Sequence, residues 1–494
     1  MHSMVVSISI LEGYCYRRCG MAKLCLVLII LMALSACTTI KDKAPAIAIS
    51  STSAEQLPCY PAFKALDKLA FQSAGTLIGS RIPTMPWLRH NRLITHDIRT
   101  QSNSAGVSKL LQRMSSLASQ GLSYELETIP KKLRQHWQKR YHIKRSPIDF
   151  AKWCSDQLVN QQLESPLNTL DHLKSIPEDN DYSKLARMAG LYPLAAIPFR
   201  LGVVKEQRQL AREWGQISGK QWFRYQPELA RNNKGTSENW RLIERHAPMW
   251  LIDDSTPANL PGTPYWQGNQ LKVNTQQATT YAFVSEARWK QQPITQLNYV
   301  IWFTERPRLK RLDWVAGQHD AVVFRVNLTR QGEVIAYDSI HLCGCWYRLF
   351  LPEGRPYKKL NRYWREPVLM QRIRLPARSD PRMAIYLQAD THQIQFVQPI
   401  TEVVEDAQKV TSITSYRLQP FSRLLKLPTA SGVRPVFNQR GYVSGSERPE
   451  RWLFWPMGVK NPGALRRFGD HAISFVGRRY FDDPHLLEKV SGLR

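Results

Sequence analysis

The period of the hydrophobic pattern changes near Leu260, and this constrains the fold more than any other feature of the chain. Before that point apolar residues recur at steps of three and four: Val107, Leu110, Leu111, Met114, Leu117 and Ala118 lie on one helix face. After it come short runs rich in β-branched and aromatic residues, at 281–286, 297–303, 321–328, 333–341, 383–388 and 392–398, separated by Gly, Pro and Asp. A helix repeats every 3.6 residues and a strand every two, so one pattern cannot serve both. The expected class is α+β, a helical N-terminal domain followed by a β-rich C-terminal half. The expected divisions are 58–240, mainly helical; 241–405, β-rich; and 406–494, mixed. In the last, 418–427 reads as helical and 465–480 as a final helix or strand. Thr128 reads as the cap of a helix that begins with Pro130 in its first turn.

Of the 494 residues 43% are hydrophobic, enough for a sizeable core. The only long apolar run is 24–34, so the chain is not a polytopic membrane protein, which needs several spans of about 20 apolar residues.

That run sits in a particular context. Arg17, Arg18 and Lys23 precede it, and Leu34-Ser35-Ala36-Cys37 follows it. Eleven apolar residues are too few to cross a hydrocarbon core of about 30 Å, so 1–36 reads as a signal peptide, with Met21 as its start. The four residues ending at Cys37 resemble the lipobox of bacterial lipoprotein precursors. The resemblance implies that the peptide before Cys37 is removed, that Cys37 carries the acyl chains, and that the chain is held to a membrane of the cell envelope. Thr38 occupies the position where Asp would favour the inner membrane, which leans the expectation to the outer membrane. Several acyl chains at about 0.8 kcal/mol per buried methylene anchor durably where one would not. Residues 37–57 then form a lipidated tether, small and polar, spanning about 25 Å when flexible.

The formal charge is +28, from 68 Lys plus Arg against 40 Asp plus Glu, and residues 1–36 hold only two of those net charges. In the cytosol such a balance points first to nucleic acid. Export takes that partner away, so no nucleic acid is expected. The expected partners are the membrane, through the N-terminal lipid, and anionic lipid, lipopolysaccharide or cell-wall polymer. Two stretches concentrate the charge. Residues 131–145 hold seven Lys or Arg, two His and no acid, with Leu133, Trp137 and Tyr141 at steps of four. This is either a helix for an anionic membrane surface or one docked on the core with a solvated basic face. Residues 306–382 hold 16 Lys or Arg interleaved with Trp314, Trp346, Tyr357, Tyr363 and Trp364, a composition suited to sugars and phosphates. The apolar stretch 189–204, broken by Pro193, Pro198 and Gly202, reads as a buried connector, with a membrane-dipping loop as the rival.

Chemistry concentrates in 317–346, which reads as a β-hairpin turning at 329–332. Paired positions then sum to about 661–663. A sum of 662, the favoured register, sets His319 opposite Cys343 with His341 on the same face; 661 sets Asp320 opposite His341. His319, His341 and Cys343 offer the nitrogen and sulfur donors that zinc takes, so a metal-dependent hydrolase is the alternative function to binding or scaffolding. Cys59, Cys154, Cys343 and Cys345 are also open to disulfide formation in an oxidising envelope. Of three pairings, Cys59 with Cys154 suits the helical domain. Asp338, Glu305, His471 and His485 are further titratable candidates. GxSxG, P-loop, dinucleotide and SxxK patterns are absent from the sequence.

Overall fold

A computed structural model describes residues 57–177, 180–216, 221–229, 237–253, 255–358, 365–377, 380–403 and 410–492. The signal segment, Cys37, the tether up to residue 56, Tyr363 and Trp364 lie outside the described residues.

The helical part comprises α1 (Tyr60–Ala74), short strands β1 (Ser80–Arg81) and β2 (Arg89–His90), α2 (Arg92–Thr100), α3 (Ser104–Glu127), α4 (Lys131–Arg140), α5 (Pro147–Leu163) and α6 (Pro166–Ser175). Helix α3 is its axis. Asn103 caps it by accepting from the Gly106 amide at 2.8 Å, and its apolar stripe Val107, Leu110, Leu111, Met114 and Ala118 is buried. Thr128 does not cap the next helix. Its backbone is helical (φ −77, ψ −16), whereas a cap needs extended dihedrals, and its hydroxyl donates back to Glu125 O. Cys59 and Cys154 are joined by a disulfide that ties the start of α1 to α5 across 95 residues. Glu125 is wholly buried and accepts from Arg89 at 2.6 and 2.7 Å and from the Leu77 amide at 2.8 Å.

Helices α7 (Lys184–Ala189) and α8 (Tyr192–Arg212) follow. The stretch read as a buried connector is instead mostly regular helix, with Pro198 inside it and only Ala196, Phe199 and Leu210 of α8 buried. Pro198 removes the amide that would bond the Leu194 carbonyl, and both residues lie on the exposed side of the helix.

Among the described residues eleven strands form one mixed sheet. They are β3 (Trp222–Glu228), β4 (Met249–Asp253), β7 (Thr279–Trp289), β8 (Gln292–Arg306), β9 (Gly317–Leu328), β10 (Val334–His341), β11 (Arg348–Pro352), β12 (Leu369–Ile373), β13 (Met383–Leu387), β14 (Ile394–Pro399) and β15 (Val410–Pro420). A separate ribbon pairs β5 (Thr263–Gln267) with β6 (Gln270–Asn274). The spatial order is β12-β11-β10-β9-β8-β7-β15-β3-β4-β13-β14. Strands from before residue 240 and after 405 therefore sit in the middle of the sheet, across the expected divisions. The α+β class stands, with helices gathered in the N-terminal half and the sheet in the C-terminal half.

The sheet curls until its ends meet. Arg348 on β11 donates to Ile394 O on β14, and Trp214 packs on both Phe350 and Phe396. The inner face holds Leu297, Tyr299, Ile301, Val322, Phe324, Val326 and Tyr337. The outer face of β9 and β10 carries a fully buried ion pair, Arg325 with Asp338, directly opposite in register. Asn327 and Tyr347 also donate to that carboxylate, so Asp338 is committed to structure. Pairing Leu418 with Thr280 of β7 holds the start of 418–427 as strand, and a 3₁₀ turn at Phe421–Leu425 follows, in place of the expected helix. Nor does 465–480 form a regular element. Gly469 and Gly477 take φ of 102 and 92, which break either period, and side chains such as Arg466, donating to Asn461 O at 2.8 Å, hold the loop. Short helices α9 (Glu238–Arg245), α10 (Arg451–Phe454) and α11 (Leu486–Ser491) complete the chain.

Replacing both Cys59 and Cys154 by Ser releases a long loop in the unfolded state. It is expected to lower the stability of the helical domain by about 2–5 kcal/mol, read as an earlier denaturant midpoint for the reporter Trp137 buried there.

Candidate functional site

The hairpin turns where expected. Gly332 has φ 81 and its amide donates to Thr329 O. The register differs from the favoured one: pairs such as Asp338 with Arg325 and His341 with Val322 sum to 663. An irregularity between Val334 and Ala336 absorbs the slip. Alternation then places Asp320, not His319, on the face of His341.

Asp320 is fully buried and draws donors from separated parts of the chain. Oδ1 accepts from Arg448 Nη2 at 3.0 Å, the Ala321 amide at 3.0 Å and His341 Nδ1 at 3.4 Å; Oδ2 accepts from His392 Nδ1 at 2.9 Å. Burial would raise this carboxyl's pKa, but the Arg448 guanidinium and the two imidazoles outweigh it and hold it well below the usual range. An ionised carboxylate only accepts, so both Nδ1 atoms carry the proton. Burial also lowers the pKa of His341, which favours its neutral form. His392 stacks on Phe303, centroids 3.8 Å apart. Each imidazole leaves its Nε2 buried without a partner.

His319 goes elsewhere. It has φ 60, and its carbonyl accepts from Arg448 at 3.2 Å. Burial, with Lys272 nearby, lowers its imidazole pKa to about 4. Cys343 and Cys345 are free thiols, hydrogen-bonded to one another across Gly344. Gly344 has φ 95, and a Cβ there would meet Ala472 O at 2.5 Å, so only glycine makes this turn. Among the described residues no group of three or more His, Cys, Asp or Glu is placed to hold a metal ion. The expected trio is thus divided: His341 turns to Asp320 and Cys343 to Cys345, while His319 lies on the other face of the strand.

What opens beside this centre is a cavity of about 100 Å³ between α8 and the sheet, with Arg306, Cys345, Arg448, Glu450, Phe199 and Phe454 among its walls. A larger cleft of about 540 Å³ lies between the helical part and the β7–β8 hairpin. Its arginines are already engaged: Arg92 by Asp181 and Asp482, Arg113 by Asp97, Arg467 by Asp470. Burial lifts Asp482 to about 7 against the pull of Arg92.

Unengaged cations lie on the surface. Helix α4 docks through Trp137, whose indole donates to Ala62 O at 2.9 Å, while Lys131, Lys132, Lys139 and Arg140, with Lys144 and Arg145 beyond, are exposed and form no ion pair among the described residues. A second surface is apolar. On α7, α8 and the turn between them, Leu185, Met188, Leu191, Leu194, Ile197 and Leu201 are 48–72% exposed. Phe199 against Phe454 and Phe475, and Arg187 donating to Met457 O and Gly477 O, fix this ridge to the body.

Sequence reasoning located the hairpin but missed His392, Arg448, Arg306 and Glu450, which are brought in from other elements. His471 and His485 are bound locally, to Leu342 O and to Glu488. Glu305 lies on β8 opposite Gln318. No protein-family model, curated protein or solved structure matches the chain.

Asp320→Asn strands the Arg448 charge in the interior and is expected to cost about 3–5 kcal/mol in chemical denaturation near neutral pH. Because the folded pKa is depressed, the Asp320 contribution is full above about pH 4 and is lost as the pH falls further. His319 acts over a higher window. From 6.5 down to about 4 the unfolded chain takes up its proton and the folded one does not, so stability drops as pH falls. In His319→Asn, which suits the positive φ, the stability-versus-pH curve should be flatter across that window than in the parent.

Proposed function

We propose that this chain is a lipid-anchored protein of a bacterial envelope, acylated at Cys37 and more suited to the outer than the inner membrane, whose body lies against an anionic bilayer surface. The observation that carries this reading is the ridge on α7 and α8. Six aliphatic side chains stand out of a folded body, with exposed Lys184 before them and exposed Lys205, Arg208 and Arg212 after them. Between Lys184 and Arg212 the one acid is Glu206. Exposed apolar patches of this kind mark contact surfaces.

The charge pattern selects the occupant. Leu191 to Leu201 spans about 15 Å as helix, half of a hydrocarbon core, and its apolar residues cover one side only. Among the described residues no helix is long and apolar enough to cross a membrane. Such a helix lies in the interface plane, its aliphatic side among the acyl chains and its cations at the headgroups. The basic face of α4 adds long-range attraction to the same headgroups, as does the net charge of about +26 from Cys37 onward, the +28 of the full sequence less the two of residues 1–36.

Flotation with vesicles containing phosphatidylglycerol tests this, using the whole chain with Cys37→Ser so that no acyl group contributes. Leu194→Asp with Leu201→Asp should lower bound protein about tenfold. Lys131→Glu, Lys132→Glu, Lys139→Glu and Arg140→Glu together should remove most of the salt-sensitive part of binding between about 0.05 and 0.5 M. Equal flotation of all three proteins refutes the reading. So does dimerisation lost in the Asp variant without vesicle binding, or binding confined to lipopolysaccharide or cell-wall polymer. For the anchor, mass spectrometry of membrane-extracted protein should find a chain starting at acylated Cys37; an intact, soluble precursor contradicts it.

A further inference from the structure

The turn after β10 sets two thiols side by side. Cys343 and Cys345 are, among the described residues, the cysteines outside a disulfide, and they are hydrogen-bonded to each other. The backbone closes the turn between them: the Gly344 amide donates to His341 O at 2.8 Å, and the His341 amide to Cys345 O at 3.0 Å. Gly344 and Trp346, on either side of Cys345, both take positive φ, 95 and 62. The two thiols differ in access. Cys343 is buried, whereas Cys345 is partly exposed and is among the walls of the cavity beneath α8. They differ in charge as well. The Cys345 thiol donates to the Cys343 sulfur and the Arg448 guanidinium attracts it, so the pKa of Cys343 falls against the pull of burial, Glu450 and Asp320, while that of Cys345 rises. The Cys59–Cys154 disulfide of the same chain belongs to an oxidising compartment, where a thiol pair meets other disulfides.

We infer that Cys343 and Cys345 are a redox-active dithiol, which exchanges with the disulfide of a low-molecular-weight thiol entering the cavity beneath α8. Cys345 Sγ attacks one sulfur of the incoming disulfide and passes its proton to Cys343, and the first thiolate leaves. Cys343 gives that proton to the departing thiolate and attacks Cys345 Sγ. The Cys343–Cys345 bond forms as the mixed disulfide breaks, and the second thiolate leaves. The pair loses two electrons and the incoming disulfide gains them; the one proton that the pair held leaves on a product thiol. In reverse, the accessible Cys345 takes the attack, and Cys343 is the better leaving group because its thiolate is the stabilised one. The cavity sets the size of the partner. Its volume of about 100 Å³ is well below the roughly 300 Å³ of a pocket for a drug-sized ligand, so it admits a slender cysteinyl arm rather than a protein surface. Its three arginines and three glutamates select no ligand charge. The exchange needs no contact with a bilayer.

Thiol trapping on the whole chain tests the assignment, with Cys15, Cys19, Cys25 and Cys37 replaced by Ser so that Cys59, Cys154 and the pair are the cysteines left. Both thiols fall in one tryptic peptide, 331–348, which becomes lighter by two hydrogens and resists alkylation when they join. Oxidised glutathione or hydroxyethyl disulfide should convert the parent to that form. Millimolar reduced glutathione should return it, with Cys59–Cys154 intact throughout. Cys343→Ser should stop at a mixed disulfide on Cys345, formed at least about tenfold faster than any adduct on Cys343 in Cys345→Ser. Val203→Trp, which narrows the cavity and leaves both cysteines, should slow oxidation of the pair by glutathione by a similar factor. The proposal is overturned if the parent pair stays reduced in excess oxidised glutathione, or if its disulfide resists reduced glutathione as Cys59–Cys154 does. It is equally overturned if Cys345→Ser forms the mixed disulfide as fast as Cys343→Ser, or if Val203→Trp is oxidised as fast as the parent.

Discussion

A carboxylate with no access to water must be surrounded by donors, and Asp320 draws its donors from four places. The β9 backbone supplies one amide, β10 supplies His341, the turn between β13 and β14 supplies His392, and the C-terminal loop supplies Arg448. The first two belong to one hairpin, while His392 and Arg448 lie 72 and 128 residues from Asp320 and are brought to it by the fold. A one-residue slip of the hairpin would turn Asp320 to the other face and strand Arg448. The buried charge therefore favours one register and one closure among the alternatives that hydrophobic burial by itself would permit.

Charge elsewhere is divided by the same logic. Inside, several cations meet carboxylates, Arg325 at Asp338, Arg89 at Glu125, Arg92 at Asp181 and Asp482, while Arg348 and Arg466 donate to carbonyl oxygens. The excess is pushed outward, to α4 and to the ends of α8, where water solvates it at little cost and an anionic surface can use it. The mixed-sign lining of the large cleft makes it a poor seat for an acidic polymer.

Much of the architecture was legible in the residues. The stripe from Val107 to Ala118 is the buried face of α3, and the alternating runs are strands, because local sterics and burial act over a few residues. The hairpin turn was readable at Gly332. Its register was not, since Val334 and Ala336 bracket an irregularity that no local pattern announces. The apolar 189–204 stretch misled because prolines are costly in buried helices, whereas here Pro198 faces solvent. The loop 465–480 has strand-like composition but takes its shape from Tyr182, Arg466 and Glu366, which reach it from outside or across it.

From the order of its amino acids this chain determines its class, its helical stripe, its hairpin and its cationic excess, because each depends on neighbours within a turn or a strand. Only the folded chain decides which histidines share Asp320, that Arg348 and Arg466 end buried against carbonyl oxygens, and that the apolar ridge of α7 and α8 faces outward. Those outcomes depend on contacts between residues beyond one turn or strand, 21, 72 and 128 apart at Asp320, and the energy of a buried charge is settled by whatever group the fold places next to it.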